Sequence, residues 1–250
     1  MSELSVARST TRERLYVRAI KPSRTPLVSI PARRTLADVV GDIQPHERSK
    51  VARVAKRTLD VVGASLGLIL FSPLFILVAL LVRLTSHGPA FFVQERCGLG
   101  GRRFRFYKFR TMVVDAEERK AELQHLNEMS GPAFKIRRDP RITRLGAALR
   151  KTSLDEIPQL WNVLKGDMSL VGPRPPLPEE VERYDSRQVQ RLAVVPGITG
   201  LWQVSGRNAL PDFDRWIDLD LEYADGWSFW LDLRILLKTF IVVVLAKGAQ

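Results

Sequence analysis

The sequence predicts an α/β mixed domain with amphipathic interfacial helices, preceded by an N-terminal membrane segment. Three observations point there. Val61–Val82 is a run of 22 residues without a charge. Residues 89–112 interleave apolar and cationic positions around a glycine-rich turn, as two paired strands do. Beyond them, apolar residues recur at helical spacing in several short stretches.

Over 250 residues the formal charge is +12, which favours polyanionic partners: nucleic acid, an anionic membrane surface or a phosphorylated substrate. One cysteine, Cys97, excludes an internal disulfide and a cysteine-based metal cluster. His46, His87 and His125 lack metal-ligand spacing. Residues 1–20 hold no apolar core of a signal peptide, so the working side is expected to be cytoplasmic.

Residues 1–50 carry ten Lys/Arg against five Asp/Glu and four prolines, and read as a basic, mostly disordered tail. Residues 51–85 form the membrane segment. Its uncharged run would make a helix roughly 33 Å long, enough for a bilayer core of about 30 Å. Ser72-Pro73 lies at its middle. Proline has no amide hydrogen and its ring meets the carbonyl four residues back, so a kink or break is expected there. Either a kinked crossing or a re-entrant hairpin satisfies the sequence. Cations at both ends (Lys56, Arg57 and Arg83) favour the hairpin.

Residues 86–250 form the domain. PAFFVQERCGLGGRRFRFYKFRTM predicts two strands around a Gly98–Gly101 turn, and Asp115 to Leu126 an exposed amphipathic helix. RITRLGAALRK places Ile142, Leu145 and Leu149 on one helical face. A helix is expected from Glu156 to Leu164, stopping at Lys165-Gly166. The C-terminal LDLRILLKTFIVVVLAKG, interrupted by Arg234 and Lys238, is expected to lie in the membrane interface or pack on the domain.

Three stretches carry candidate chemistry. Between Arg96 and Arg110 six Arg/Lys alternate with Phe104, Phe106, Tyr107 and Phe109, a pattern that serves single-stranded nucleic acid, substrate phosphates or lipid headgroups. A sheet with one solvated cationic face and one aromatic face explains it equally well, and the adjacent membrane segment argues against nucleic acid. In TSLDEIPQL, Ser153 and Glu156 fit a capping box, while a start at Asp155 would place Pro158 in the first turn. Either way Asp155 and Glu156 sit at a helix start, where the dipole favours ionised carboxylates able to attack phosphorus or hold a divalent cation. Capping or surface charge is the plainer explanation of that pair taken alone. In SLVGPRPPLP a stiff turn fixes Arg174 for bidentate phosphate contact, or is a linker with an incidental arginine.

Taken together, KRTLDVVGA, the Ser-Pro-interrupted apolar run, YKFRTM, RITRLG, LRKTSLDEIPQLWNVLKGDMSLVGPRP, VVPGITGLWQVSGR and LDLEYADGWSFWLDLRIL resemble the bacterial sugar transferases, the monotopic polyprenyl-phosphate phosphoglycosyl transferases. The likeness covers residues 51–250.

The resemblance implies a re-entrant membrane helix-hairpin bent at Ser72-Pro73, Asp155 as nucleophile, and Glu156 as a second catalytic carboxylate and Mg²⁺ ligand. It places Arg150 and Arg174 near the substrate phosphates, with Lys108, Arg110 and Asp220 as further substrate-binding positions. It implies a UDP-sugar donor, a polyprenyl (undecaprenyl) phosphate acceptor, inner-membrane lipids as surroundings, and a catalytic domain facing the cytoplasm of a bacterial cell. The wording of the motifs is most similar to members that start exopolysaccharide or capsule assembly with glucose or galactose. A homo-oligomer is compatible with all of this. The rival readings are a membrane-attached glycosyltransferase, which would release UDP instead of UMP, and a basic membrane scaffold.

Overall fold

One helix organises the rest of the chain. In the computed structural model, which describes residues 38, 40–44, 46, 48–206 and 212–244, helix α1 runs unbroken over Lys50–Thr85. Ser49 caps it by accepting from the Ala52 amide. The break expected at Ser72-Pro73 is absent. Pro73 leaves the Ile69 carbonyl without its helical donor, and the Ser72 hydroxyl donates to that carbonyl at 2.8 Å. This local exchange keeps the helix continuous. α1 is long and apolar enough to cross a membrane by length and composition. The tail expectation falls largely on residues 1–37, outside those described.

α1 does not stand apart from the domain. Along one side, Asp60, Gly63, Ala64 and Gly67 and then Leu74, Phe75, Val78 and Val82 meet it. The glycines let the helix approach Leu170 and Leu160. The opposite side leaves Leu66, Ile69, Leu70, Ile76, Leu77 and Leu80 exposed.

The expected hairpin follows, with β1 (Phe91–Cys97) antiparallel to β2 (Arg103–Phe109). Gly100 and Gly101 take positive φ in the turn between them. Its faces are not divided as expected. Phe92 pairs with Lys108, Gln94 with Phe106 and Arg96 with Phe104, so cations and aromatics share one face.

The helix expected over Asp115–Leu126 shrinks to α2 (Arg119–Glu122) and a 3₁₀ turn at Gln124–Leu126. α2 has no side-chain cap and buries no residue, so nothing tertiary extends it. α3 (Arg144–Thr152) is capped by Thr143, whose hydroxyl accepts from the Gly146 amide. Gly146 is required there, because a Cβ would sit 2.0 Å from the Thr111 carbonyl oxygen. A 3₁₀ turn at Leu154–Glu156 leads to α4 (Gln159–Lys165), which stops at left-handed Gly166 as expected.

β3 (Ser169–Val171) and β4 (Gly197–Thr199) form a short parallel pair. Gly172 and Gly197 meet back to back, leaving no room for a side chain on either. Between these strands lie α5 (Pro178–Val181) and a 3₁₀ segment, Gln188–Ala193; after them come α6 (Leu201–Val204), α7 (Phe213–Asp225) and α8 (Phe229–Val244). α8 packs through Leu231, Ile235 and Leu236 against Val171 and Tyr223, and leaves Trp230, Leu237, Phe240 and Ile241 exposed.

The start of α1 is held to this C-terminal part by charge. Fully buried Asp232 accepts from Lys56 Nζ at 2.7 Å, Tyr223 Oη at 2.8 Å and Trp227 Nε1 at 3.0 Å. Removing one partner of a buried pair strands the other charge in a poor solvent. Lys56→Met is therefore expected to lower stability by about 3 kcal/mol, read as a drop in the unfolding midpoint of the detergent-solubilised protein.

Candidate functional site

The residues with candidate chemistry gather around a cleft of about 580 Å³, walled by the hairpin face, residues 110–117, α3 and the 172–177 loop. Lys108, Arg110, Arg150 and Arg174 all line it. So do Arg96, Arg141 and Lys120, which the motif comparison did not single out.

Lys108 projects from β2 beside Phe92, its ammonium 5.2 Å from the ring centre. Burial, reinforced by the neighbouring Arg150, pushes its pKa down to about 8, against the pull of Asp155. Arg150 comes from the last turn of α3 and donates from Nε to Thr111 Oγ1 at 2.9 Å. Its burial disfavours the charged form, and Asp155 opposes that most strongly.

Asp155 is 7% exposed and lies in the 3₁₀ turn between α3 and α4. The capping box is not made. Ser153 is instead the left-handed end of α3, with φ of 56°, and its side chain caps nothing. The two carboxylates therefore precede α4 by a turn, and the charges that reach Asp155 are those of Lys108 and Arg150. On the other side of this turn, Ser153, Leu154, Glu156 and Ile157 line an apolar groove with Phe71 of α1, Ile198, Val204 and Val242. The acidic turn thus acts by charge on cations of the cleft and lines an apolar groove that reaches α1.

Arg174 lines the cleft from its proline-flanked loop, and Nη1 lies 3.2 Å from Glu180 Oε2. Burial alone would raise the Glu180 carboxyl, but Arg174 and Arg96 outweigh it and hold it low. Arg96, pushed down to about 9 by burial and Arg174, donates to the Pro175 carbonyl at 2.9 Å.

Two of the expected positions have other partners. Arg110 lines the cleft and also donates from Nη2 to the carbonyl and hydroxyl of Ser86, putting a cation at the C-terminus of α1. Asp220 does not line the cleft. It is buried on α7 against Arg191, whose guanidinium also donates to Tyr184 Oη and to the Arg174 carbonyl. Burial pushes the Asp220 carboxyl up against the pull of Arg191, and the pair acts on Arg174 at one remove through the Arg191 bond to the Arg174 carbonyl. Cys97, buried with its thiol pushed up to about 11, is a packing residue. Sequence reasoning missed Arg191: a lone arginine in RLAVVPG carries no local sign of its partner on α7.

Lys108 is charged below its depressed pKa and neutral above it. Binding of inorganic pyrophosphate to the purified protein is expected to weaken as pH rises through about 8, and Lys108→Arg should remove that step. The same pH dependence in both proteins would show that Lys108 does not hold the anion.

The sequence model of the bacterial sugar transferase family matches residues 51–246. The galactosyl transferase CpsE of Streptococcus agalactiae serotype III is 53% identical over 197 residues, 79% of this chain and 44% of that protein. The exopolysaccharide production protein ExoY of Rhizobium meliloti is 44% identical over 203 residues, 80% of this chain and 89% of that protein. The undecaprenyl-phosphate galactose phosphotransferase of Salmonella typhimurium is 45% identical over 211 residues, 83% of this chain and 44% of that protein. The chain therefore spans less than half the length of CpsE and of the Salmonella transferase, but nearly all of ExoY. A match over the long apolar helix, the cleft and the acidic turn alike settles the relationship: the chain belongs to the bacterial sugar transferase family.

Proposed function

We propose that this protein transfers a sugar-1-phosphate, of glucose or galactose, from a UDP-sugar to undecaprenyl phosphate or a similar polyprenyl phosphate. It would act through a covalent aspartyl-phosphosugar, release UMP, and so start exopolysaccharide or capsule assembly at the membrane. The observation that carries this reading is the acidic turn: Asp155 acts on Lys108 and Arg150 of the cationic cleft, and its neighbour Glu156 lines the apolar groove. The names of the relatives support it: those of Salmonella typhimurium and Komagataeibacter xylinus are called undecaprenyl-phosphate galactose and glucose phosphotransferases, and that of Erwinia amylovora a UDP-galactose-lipid carrier transferase.

The chemistry divides into two displacements. An Asp155 carboxylate oxygen attacks the phosphorus that bears the sugar, the bond from that phosphorus to the UMP oxygen breaks, and UMP leaves. A phosphate oxygen of the polyprenyl phosphate then attacks the same phosphorus, the aspartyl bond breaks, and the carboxylate is regenerated. Lys108 and Arg150 act where charge develops, already desolvated and oriented before substrate arrives. Arg174, stiffened by its prolines, grips the diphosphate.

The donor set suits magnesium supplied with the substrate. Among the described residues no three His, Cys, Asp or Glu gather as a metal cage. Mg²⁺ characteristically takes one or two carboxylates plus phosphate oxygens and waters. Glu156 would hold it together with the diphosphate, and the bound ion would neutralise phosphate charge.

The seam on α1 supports one membrane arrangement. Because Asp60 and Ala64 near one end and Val78 and Val82 near the other all pack on the domain, a perpendicular crossing would draw the charged cleft into the bilayer. Both ends of α1 are assigned to the cytoplasmic side of the inner membrane, with its exposed apolar face and that of α8 in lipid. Cysteines placed at Lys50 or His87 in a Cys97→Ser background should resist an impermeant maleimide in intact cells and react after permeabilisation. Labelling of either from outside refutes the arrangement.

The mechanism is tested without acceptor. Protein incubated with UDP-sugar labelled in the sugar should take up label on the peptide containing Asp155, and polyprenyl phosphate should chase it off. Asp155→Asn, nearly isosteric, should form no adduct while still partitioning to membranes. Conversion only when both substrates are present, with no adduct, would indicate a single displacement.

A further inference from the structure

One part of the cleft wall has a chemistry of its own. Glu117, Lys120 and Phe134 line it beside Arg141, and the Glu117 charge acts on Arg96 and Arg141. Beside Arg141 stands the half-buried ring of Phe134, with the guanidinium carbon 5.2 Å and Lys120 Nζ 5.9 Å from its centre. Arg141 is already committed. It binds both oxygens of Asp139 and the Ala116 carbonyl, so it serves as a fixed plate for the ring. The Val113 amide donates to the Arg141 carbonyl, which brings the apolar 112–114 stretch to the same part. One flat ring, one carboxylate and one flexible ammonium therefore share a wall of the cleft that the phosphate chemistry does not use.

We propose that Phe134, Glu117 and Lys120 form the nucleobase subsite of the donor, specific for a uracil-type pyrimidine. The inference rests on the donor being a UDP-sugar. Uracil presents a carbonyl, an N–H and a second carbonyl along one edge. Lysine only donates and an ionised carboxylate only accepts, so Lys120 meets a ring carbonyl while Glu117 accepts from the N–H. The base face stacks on Phe134, an interaction that aromatic rings offer any base and that the polar pair makes selective. A cytosine in the same pose turns a ring-nitrogen lone pair toward Glu117 and loses that hydrogen bond.

The test uses the full chain in detergent, with UMP and inorganic pyrophosphate as competing probes in the labelling reaction. Phe134→Ala should raise both the KM for UDP-sugar and the inhibition constant of UMP about tenfold. Pyrophosphate inhibition should be retained, and most of the loss should lie in KM rather than in the rate at saturation. Phe134→Trp should recover UMP binding. Glu117→Gln should reduce the preference for UMP over CMP about tenfold. The subsite is refuted if Phe134→Ala leaves UMP inhibition unchanged, or weakens UMP and pyrophosphate equally, which would mark the ring as packing for the whole cleft. The donor reading fails separately: a wild-type protein that takes no label from UDP-sugar and ignores UMP overturns both proposals before any variant is compared.

Discussion

Pro173, Pro175 and Pro176 leave the loop that carries Arg174 with carbonyls to satisfy and few amide hydrogens of its own. The donors come from distant parts of the chain. Lys56 of α1 and Tyr223 of α7 serve the Val171 carbonyl. The Gly197 amide serves Pro173, Arg191 serves Arg174, Arg96 serves Pro175 and the Cys97 amide serves Pro176. A segment unable to join a sheet is thus clamped residue by residue, and the clamps draw the membrane helix, the hairpin and the C-terminal helices together around the cleft. Asp232 and Asp220 sit behind them, each neutralising a cation that reaches the loop.

The same arrangement explains why the cleft stays positive. Its cations are held largely by carbonyls, hydroxyls and ring faces, so most of their charge is not cancelled by carboxylates. Burial works against that charge: Lys108 is lowered to about 8 and Arg96 to about 9. Folding forces these groups into positions they would not choose alone, and a diphosphate would relieve the repulsion. Preorganisation of this kind is most useful where charge is redistributed, as in phosphoryl transfer.

α1 contributes to both halves of the site. Its N-terminal part supplies Lys56 to the loop, and its C-terminal part closes a core with Phe109, Leu149 and Ile157, directly under the strand and helices that carry Lys108, Arg150 and Asp155. At its midpoint Phe71 faces the apolar groove. The long apolar helix is therefore also a wall of the domain that carries the cleft.

The sequence by itself determined the local features. The hairpin and its glycine turn, the stop at Gly166 and the length of the apolar run depend on residues a few positions apart, and all are found as read. Of the residues singled out by the motif resemblance, Lys108, Arg110, Arg150 and Arg174 line one cleft and Glu156 lines the apolar groove. What failed were inferences that needed a partner from elsewhere. The proline at 73 looked like a break because its remedy is the neighbouring Ser72 hydroxyl, whose direction depends on a rotamer. The Asp115–Leu126 stretch has helical composition, but its helical part, Arg119–Glu122, has no cap and buries no residue. Asp220 read as a substrate-binding position, yet it is buried against Arg191 and does not line the cleft, while Arg110 lines the cleft and also bonds Ser86 at the end of α1. A buried charge is defined by the partner it meets, and here Lys56 and Asp232 are separated by 176 positions in the chain. Only the tertiary structure makes that pairing, because the cost of removing both charges from water is offset only when they arrive together.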